Sequence, residues 1–318
     1  MNKALESLLE VVEQDPLPER HTSSHWKNYG SQIVVERNGE RLALRGAGFT
    51  AHSNPNGLCR ALYAVERLSY RPVTGKLKSF PWIFRKAVSL ARELRVAMTR
   101  HEWSSAVVLS VLWDHFQEHR LQPRTFALIG DGDGFLGALI LRCFEGPAVR
   151  LYNMDLPKVL LFQAETHFKA APGISLSVLL PGQDNLPAQV TLVHPDCIER
   201  VPEKIDCAIN LVSMQEMKPS SVQAYFDFLR SRSGSSSRFY CVNRLRNELP
   251  GGEVSSFMDY PWSGKDELFL DTPCRYFRHF MDPTTTPNGP RLLGLRVPMV
   301  NYFSGRSWER LVHLAETP

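Results

Sequence analysis

The chain has 318 residues, 43% of them hydrophobic and 22% charged, and a formal net charge of +4. This is the composition of an ordinary globular protein of one large domain or two. The small charge calls for neither nucleic acid nor an acidic membrane surface as a partner, and apolar runs of about seven or eight residues are too short to span a bilayer.

The N-terminus places Leu5, Leu8, Leu9 and Val12 on one helical face with acids between them, the pattern of an amphipathic helix rather than a secretion signal. Pro16 and Pro18 end it. Residues 24–30 read as a loop, and residues 33–44 as a hairpin turning at Asn38-Gly39. The breaker-rich stretch 46–57 reads as an ordered loop containing His52. Helical periodicity then covers Phe84 to Arg100, whose basic face is read as solvated, and Glu102 to His119. Residues 1–120 form a mainly helical region expected to cover the site and help select the acceptor.

From residue 121 to the C-terminus at 318 the pattern changes. Candidate strands at 125–130, 149–154, 190–194, 205–211 and 237–242 alternate with helical patterns at 134–144, 157–169 and 219–231. Such alternation predicts an α/β, Rossmann-like, mostly parallel sheet with helices on both faces. Residues 291–297 and 299–303 are candidates for an antiparallel edge strand. Six cysteines, at 59, 143, 197, 207, 241 and 274, contain no C-x-x-C pair. They argue against zinc and for free thiols in a reducing, cytoplasmic setting.

The most informative segment is Phe126-Ala-Leu-Ile-Gly-Asp-Gly-Asp-Gly-Phe-Leu-Gly137. Gly130, Gly132 and Gly134 follow a short apolar strand and precede an apolar helix. Glycine admits positive φ and close approach of a ligand to the backbone, and a helix N-terminus adds unpaired N–H donors. A plain tight turn is the alternative. Twenty-five residues after Gly130, the run Leu151-Tyr-Asn-Met-Asp155 ends in an acid. At the end of the second strand such an acid can accept both ribose hydroxyls of a nucleoside, or simply cap the next helix. Other strand ends carry Asp196 and the segment Asn210 to Glu216. There, Ser213 and Glu216 can bind a ligand or take a proton, or cap a helix and sit at the surface. His52, His194 and His279 can each serve as a base or be structural. Neither a G-x-S-x-G elbow nor a G-x-x-x-x-G-K-[ST] loop occurs.

Together, Gly130-x-Gly132-x-Gly134 and Asp155 resemble the first two motifs of class I S-adenosylmethionine-dependent methyltransferases. Met154-Asp-Leu-Pro-Lys-Val-Leu-Leu161, Asn210-Leu-Val-Ser-Met-Gln-Glu-Met217, Tyr225-Phe226, Tyr240-Cys-Val-Asn-Arg244 and Asp259-Tyr-Pro-Trp262 resemble sugar O-methyltransferases of polysaccharide and natural-product pathways. The resemblance covers residues 120 to 270, with Ser24-x-Trp26 as a trace before it. It implies S-adenosylmethionine as cofactor, held by Gly130, Asp131, Gly132, Gly134, Asp155, Leu156, Asn210 and Ser213, with Asp196 at the adenine amine. It also implies methyl transfer to a hydroxyl of a sugar or glycosylated small molecule. Glu216 is the first choice of base, and His279 and His52 are the next. A metal is not predicted, though metal dependence stays open, as does a homo-oligomer. One departure is Leu128, which stands where the family carries an acid. Asp131 or Asp133 would have to substitute. A non-sugar acceptor (an amine, a peptide or a polyketide hydroxyl) and a non-catalytic relative that keeps the fold are the alternatives. Tyr260, Trp262 and Tyr276 are read either as sugar-stacking surfaces or, more often for such residues, as core.

Overall fold

Two apolar faces on each strand decide the architecture. In Thr125–Ile129, Phe126 and Leu128 join one hydrophobic cluster while Ala127 and Ile129 join another. Alternate side chains leave a strand on opposite faces, so a strand apolar on both must be covered on both. A computed structural model shows this arrangement. It describes residues 3–15, 17–30, 33–38, 41–45, 67–68, 71–146, 148–183, 187–274, 276, 279–280, 291–296, 301–302 and 306–316.

The central sheet has eight strands. They are β1 (Thr125–Ile129), β2 (Arg150–Met154), β3 (Leu176–Leu179), β4 (Val190–Val193), β5 (Cys207–Leu211), β6 (Arg238–Arg244), β7 (Glu267–Pro273) and β8 (Ser307–His313). Their spatial order is β7-β8-β6-β5-β1-β2-β4-β3. β8 pairs antiparallel with both β6 and β7, and the remaining pairings are parallel. The Rossmann-like expectation holds, with the antiparallel strand one position in from the edge. That strand and the edge strand β7 are residues 307–313 and 267–273. Residues 291–292 and 295–296 instead pair with each other, and 301–302 pair with 279–280. Register places Ile129 opposite both Met154 and Asn210. The chain therefore leaves β1, β2 and β5 at one level, and the loops after them meet.

One face of the sheet carries α1 (Lys3–Gln14), α3 (Phe80–Leu94), α4 (Arg100–Glu118), α5 (Phe135–Cys143) and α6 (Pro157–Ala170), all in a shared core. The other face carries α7 (Pro219–Ser231), whose Val222, Phe226 and Leu229 pack under Ala127, Ile129 and Phe239. Leu8, Ile83, Leu90 and Leu109 are fully buried in the same cluster as Phe126 and Leu151. The N-terminal helices thus complete the sheet's own core.

Local chemistry accounts for the differences from the sequence reading. The helical pattern from Phe84 to Arg100 is broken at Arg95, whose φ of 59° ends α3. Thr99 then caps α4 in a box with Glu102, whose Oε2 accepts from the Thr99 backbone N–H at 2.7 Å. Residues 24–30, expected as a loop, form the helix α2 (Ser24–Gly30). The expected hairpin is Val34–Asn38 against Arg41–Arg45, with its turn and the loop 46–57 outside the described residues. Cys143, Cys197, Cys207, Cys241 and Cys274 are free and buried, and among the described residues no helix is long and apolar enough to cross a membrane.

Because α1 contributes to the common core, Leu8→Ala should lower global stability by about 2–5 kcal/mol. Urea unfolding followed by both circular dichroism and tryptophan fluorescence should show one coincident transition. Two separated transitions would mean that the N-terminal helices fold apart from the sheet.

Candidate functional site

A cavity of about 480 Å³ opens where β1, β2 and β5 end. Its floor is the glycine turn. Gly130, Gly132 and Gly134 have φ of 76°, 60° and 85°, values that a side chain disfavours. At Gly130 space adds a second constraint. A Cβ there would lie 2.2 Å from Ser213 Oγ, and Ser213 is fixed because its hydroxyl donates to the Ile129 carbonyl at 2.8 Å. Asn210 Nδ2 donates to the same carbonyl at 2.8 Å. Gly134 caps α5, and its Cβ would meet Gln163 Cα at 2.9 Å. It lets α5 and α6 approach rather than lining the cavity.

Two acids of the turn, Asp131 and Asp133, line the cavity beside Leu128. Asp131 Oδ2 accepts from the Gly137 N–H at 2.9 Å, yet burial pushes its carboxyl up to about 8. Asp133 Oδ1 accepts from the Phe135 N–H at 3.1 Å and lies 3.0 Å from His101 Nε2. Burial opposes charge on His101, but the Asp133 carboxylate outweighs it and holds the imidazolium up to about 10. The wall at Leu128 is therefore apolar, and the carboxylates come from the turn itself.

The opposite side is built by β2 and β5. Asp155 Oδ1 accepts from the Leu156 N–H at 2.8 Å and Oδ2 from Gln163 Nε2 at 2.9 Å. Burial raises its carboxyl to about 7 against these donors. Leu156, Val159 and Pro195 flank it. Glu216, in the short 3-10 turn after β5, is half-buried, and desolvation raises it to about 7 despite the field of Arg244. Helix α2 closes the cavity with His25, Trp26 and Tyr29. His25 Nε2 is 3.5 Å from Glu216 Oε2, and its ring stacks on Tyr29.

Gly130, Asp131, Gly132, Asp155, Leu156, Ser213 and Glu216 thus converge as the motifs suggest. Asp196 and Asn210 are near but off the wall. Asp196 is held by Arg20 and His21 and belongs to the anchor of the segment before α2. Asn210 is fully buried between Ile129 and Asn243, whose Nδ2 donates to Asn210 Oδ1 at 2.7 Å. His52 lies outside the described residues, as does the side chain of His279. Tyr260, Trp262 and Tyr276 are core. Tyr276 Oη is 3.0 Å from Tyr240 Oη, Trp262 donates to Phe257 O at 2.8 Å, and the Arg310 guanidinium lies 4.4 Å from the Trp262 ring centre. No described residue after Tyr225 lines the cavity, so the acceptor contacts expected of the tail are not made by the part of it described. Among the described residues no group of three or more His, Cys, Asp or Glu is placed to hold a metal.

Sequence reasoning missed His25, Tyr29, His101 and Tyr225. The Thr99-x-x-Glu102 capping box marks a helix start and would have put His101 in its first turn. Nothing local marks α2, which gains its place from distant partners.

No protein-family model matches the sequence, and no curated protein matches it. Three solved structures illustrate what the chain is similar to. One is an S-adenosylmethionine-dependent methyltransferase from Clostridium acetobutylicum (13% identity over 64% of this chain and 89% of that chain, TM-score 0.39). Another is TehB from Haemophilus influenzae (11%, 68% and 67%, TM-score 0.41). The third is magnesium protoporphyrin IX methyltransferase from Synechocystis, solved with bound SAH (12%, 67% and 83%, TM-score 0.39). Superpositions this loose carry no inference, and the site stands on its own geometry.

Gly130→Ala combines a positive φ with contact to a fixed side chain. It should cost at least about 1–2 kcal/mol in urea unfolding, and Gly130→Ala/Ser213→Gly should recover part of the loss. Equal stabilities for Gly130→Ala and the parent protein would show that the turn is not under this constraint.

Proposed function

We propose that this chain is an S-adenosylmethionine-dependent methyltransferase that acts on a hydroxyl of a sugar or glycosylated small molecule. The observation that carries the reading is one cavity with the positive-φ glycine turn and Asp155 on its walls and Glu216 beside them. Its volume of about 480 Å³ falls within the range of small-ligand sites.

The residues present fit the nucleoside. The Asp155 carboxylate accepts from Leu156 and Gln163 and also interacts with the Gly132 backbone N–H, and its two oxygens, with roughly four lone-pair sites, keep room for a ribose hydroxyl. Leu156 and Pro195 supply apolar surface beside it. Asp131 and Asp133 place carboxyl groups where Leu128 offers none, matched to a ligand that carries an ammonium and a sulfonium. When bound, the nucleoside supplies a methyl group on a positively charged sulfur. The protein holds the two reactants in line and excludes water with Leu128, Leu136, Ile209 and Leu211. It also receives a proton. A sugar hydroxyl is a weak nucleophile until its proton leaves, and Glu216, with its carboxyl near neutrality, is matched to accept it.

The sugar hydroxyl is the part of the reading supported by the sequence resemblance alone. Product mass with candidate acceptors (free sugars, nucleotide sugars, glycosylated polyketides, amines) tests it directly.

Asp155→Ala should weaken binding of S-adenosylmethionine by about 100-fold, the worth of two charge-assisted hydrogen bonds, in isothermal titration calorimetry. Full affinity in that variant would remove Asp155 from the nucleoside site. Glu216→Gln should leave binding intact and slow turnover by roughly 10²–10⁴. An unchanged rate would rule Glu216 out as the base.

The pH dependence has a definite sign. A carboxyl raised to about 7 is protonated, and useless as a base, below that value. Turnover at saturating donor should therefore rise through pH 7 and then level. The glutamine variant should lack that inflection. A pH-independent rate between 6 and 8 in the parent enzyme would contradict the assignment.

A further inference from the structure

Helix α2 does more than cover the cavity, because its placement is tied to Glu216 itself. The Ser23 hydroxyl donates to the Glu216 carbonyl oxygen at 2.5 Å, and Ser23 is fully buried. Ser24 Oγ accepts from the Gly251 N–H at 2.9 Å and donates to Glu253 Oε2 at 2.6 Å. Lys158 Nζ donates to the carbonyls of Gly30 and Ile33 at 3.2 Å. These contacts grip α2 at both ends and set His25 Nε2 3.5 Å from Glu216 Oε2. Both side chains line the cavity, and His25 keeps 29% of its surface open to solvent.

We infer that His25 is the proton exit of Glu216: it receives the acceptor's proton from the carboxyl group and releases it to water. The inference rests on the methyltransferase reading above and extends it to a residue to which the sequence assigns no role. Because the donor supplies the methyl as a cation equivalent, each turnover frees one proton from the hydroxyl. The O–H bond of the acceptor breaks and an O–H bond forms on Glu216. That proton then passes to His25 Nε2, and the imidazolium returns to its neutral form by giving a proton to solvent. No oxidant or second reactant is needed. A separation of 3.5 Å is closed to hydrogen-bond distance by a small ring movement.

The ionisation of the pair permits this transfer slightly uphill, and release to water draws it forward. Burial, then Arg244, lowers His25 from its ordinary value, so the ring is neutral at pH 7 and able to accept. Burial raises Glu216 against Arg244. The other ionisable groups that face the pair are Tyr29 on α2, Arg244 on β6, Asp155 after β2 and Tyr260. Two coupled groups share their macroscopic titration steps. His25 should therefore report the protonation of its neighbour.

The first measurement needs no donor or acceptor. In histidine NMR of the ligand-free protein, the His25 ring signals should move in two steps, and the upper step, near pH 7, should vanish in Glu216→Gln. A single step identical in both proteins overturns the inference. The second measurement uses turnover. His25→Ala should bind S-adenosylmethionine as the parent does and turn over roughly 10- to 100-fold more slowly. Added imidazole should restore turnover, as it would not restore a lost packing contact. An unaffected rate, or a loss that imidazole does not rescue while His25→Gln restores it, overturns the relay and leaves His25 a packing residue. Should Ser23→Ala displace α2, the NMR step and the imidazole response should disappear together. Failure of the methyltransferase reading itself shows differently, as absence of S-adenosylmethionine binding in the parent protein.

Discussion

The carbonyl of Ile129 is the fixed point of the site. It ends β1 and accepts from both Asn210 Nδ2 and Ser213 Oγ, each at 2.8 Å. Those donors come from the end of β5, so the two central strands are joined exactly where regular pairing stops. Ser213 is thereby pressed against Gly130, and only a residue without Cβ passes. The turn that follows alternates positive-φ glycines with Asp131 and Asp133, and Gly130 to Asp133 line the space left between β1, β2 and β5. Buried polar groups of this kind persist only when fully bonded. Removal of one donor would loosen the strand ends and the cavity floor together.

A second constraint is electrostatic. Asp131, Asp155 and Glu216 are each raised by burial, to about 8, 7 and 7. Carboxyl groups with raised values bind protons more readily folded than unfolded. Their contribution to stability is therefore present at low pH and fades as pH rises through those values. Near neutrality the ligand-free cavity holds acids that burial disfavours as anions. A cationic ligand with hydroxyl donors relieves that cost, whereas an anionic one would deepen it. Site chemistry and fold stability are thus linked through the same side chains, which is common where function requires perturbed groups.

The sheet was legible because its strands are apolar on both faces and separated by helical periods, a signal that survives without any knowledge of partners. The glycine turn, Asp155 and Glu216 were legible because each follows directly from where a strand ends. What escaped was non-local. β3, Leu176–Leu179, was not read as a strand although it is as long as β4. β7 is half-exposed at the sheet edge, so its pattern lacks the apolar continuity of a central strand. Arg95 in the left-handed region splits what reads as one helix, and no residue type there announces it. The tail aromatics followed the more frequent of their two readings: Tyr260, Trp262 and Tyr276 pack into the core.

Helix α2 is the case where sequence reasoning could not have succeeded. At seven residues it is too short to be stable alone, and its segment contains no apolar period. Its anchors are Asp196, the Glu216 carbonyl, Gly251, Glu253 and Lys158, between 128 and 229 positions away in sequence for the side-chain contacts that hold it. Apart from Trp26, those anchors are polar. Polar docking in partial contact with water is weak per bond and reversible, unlike the hydrophobic docking of α1. Ser23, through its bond to the Glu216 carbonyl, fixes where α2 sits and so sets His25 beside Glu216. The sheet and its glycine turn form the floor and sides of the cavity, and α2, joined to them by polar contacts, adds the wall that carries His25.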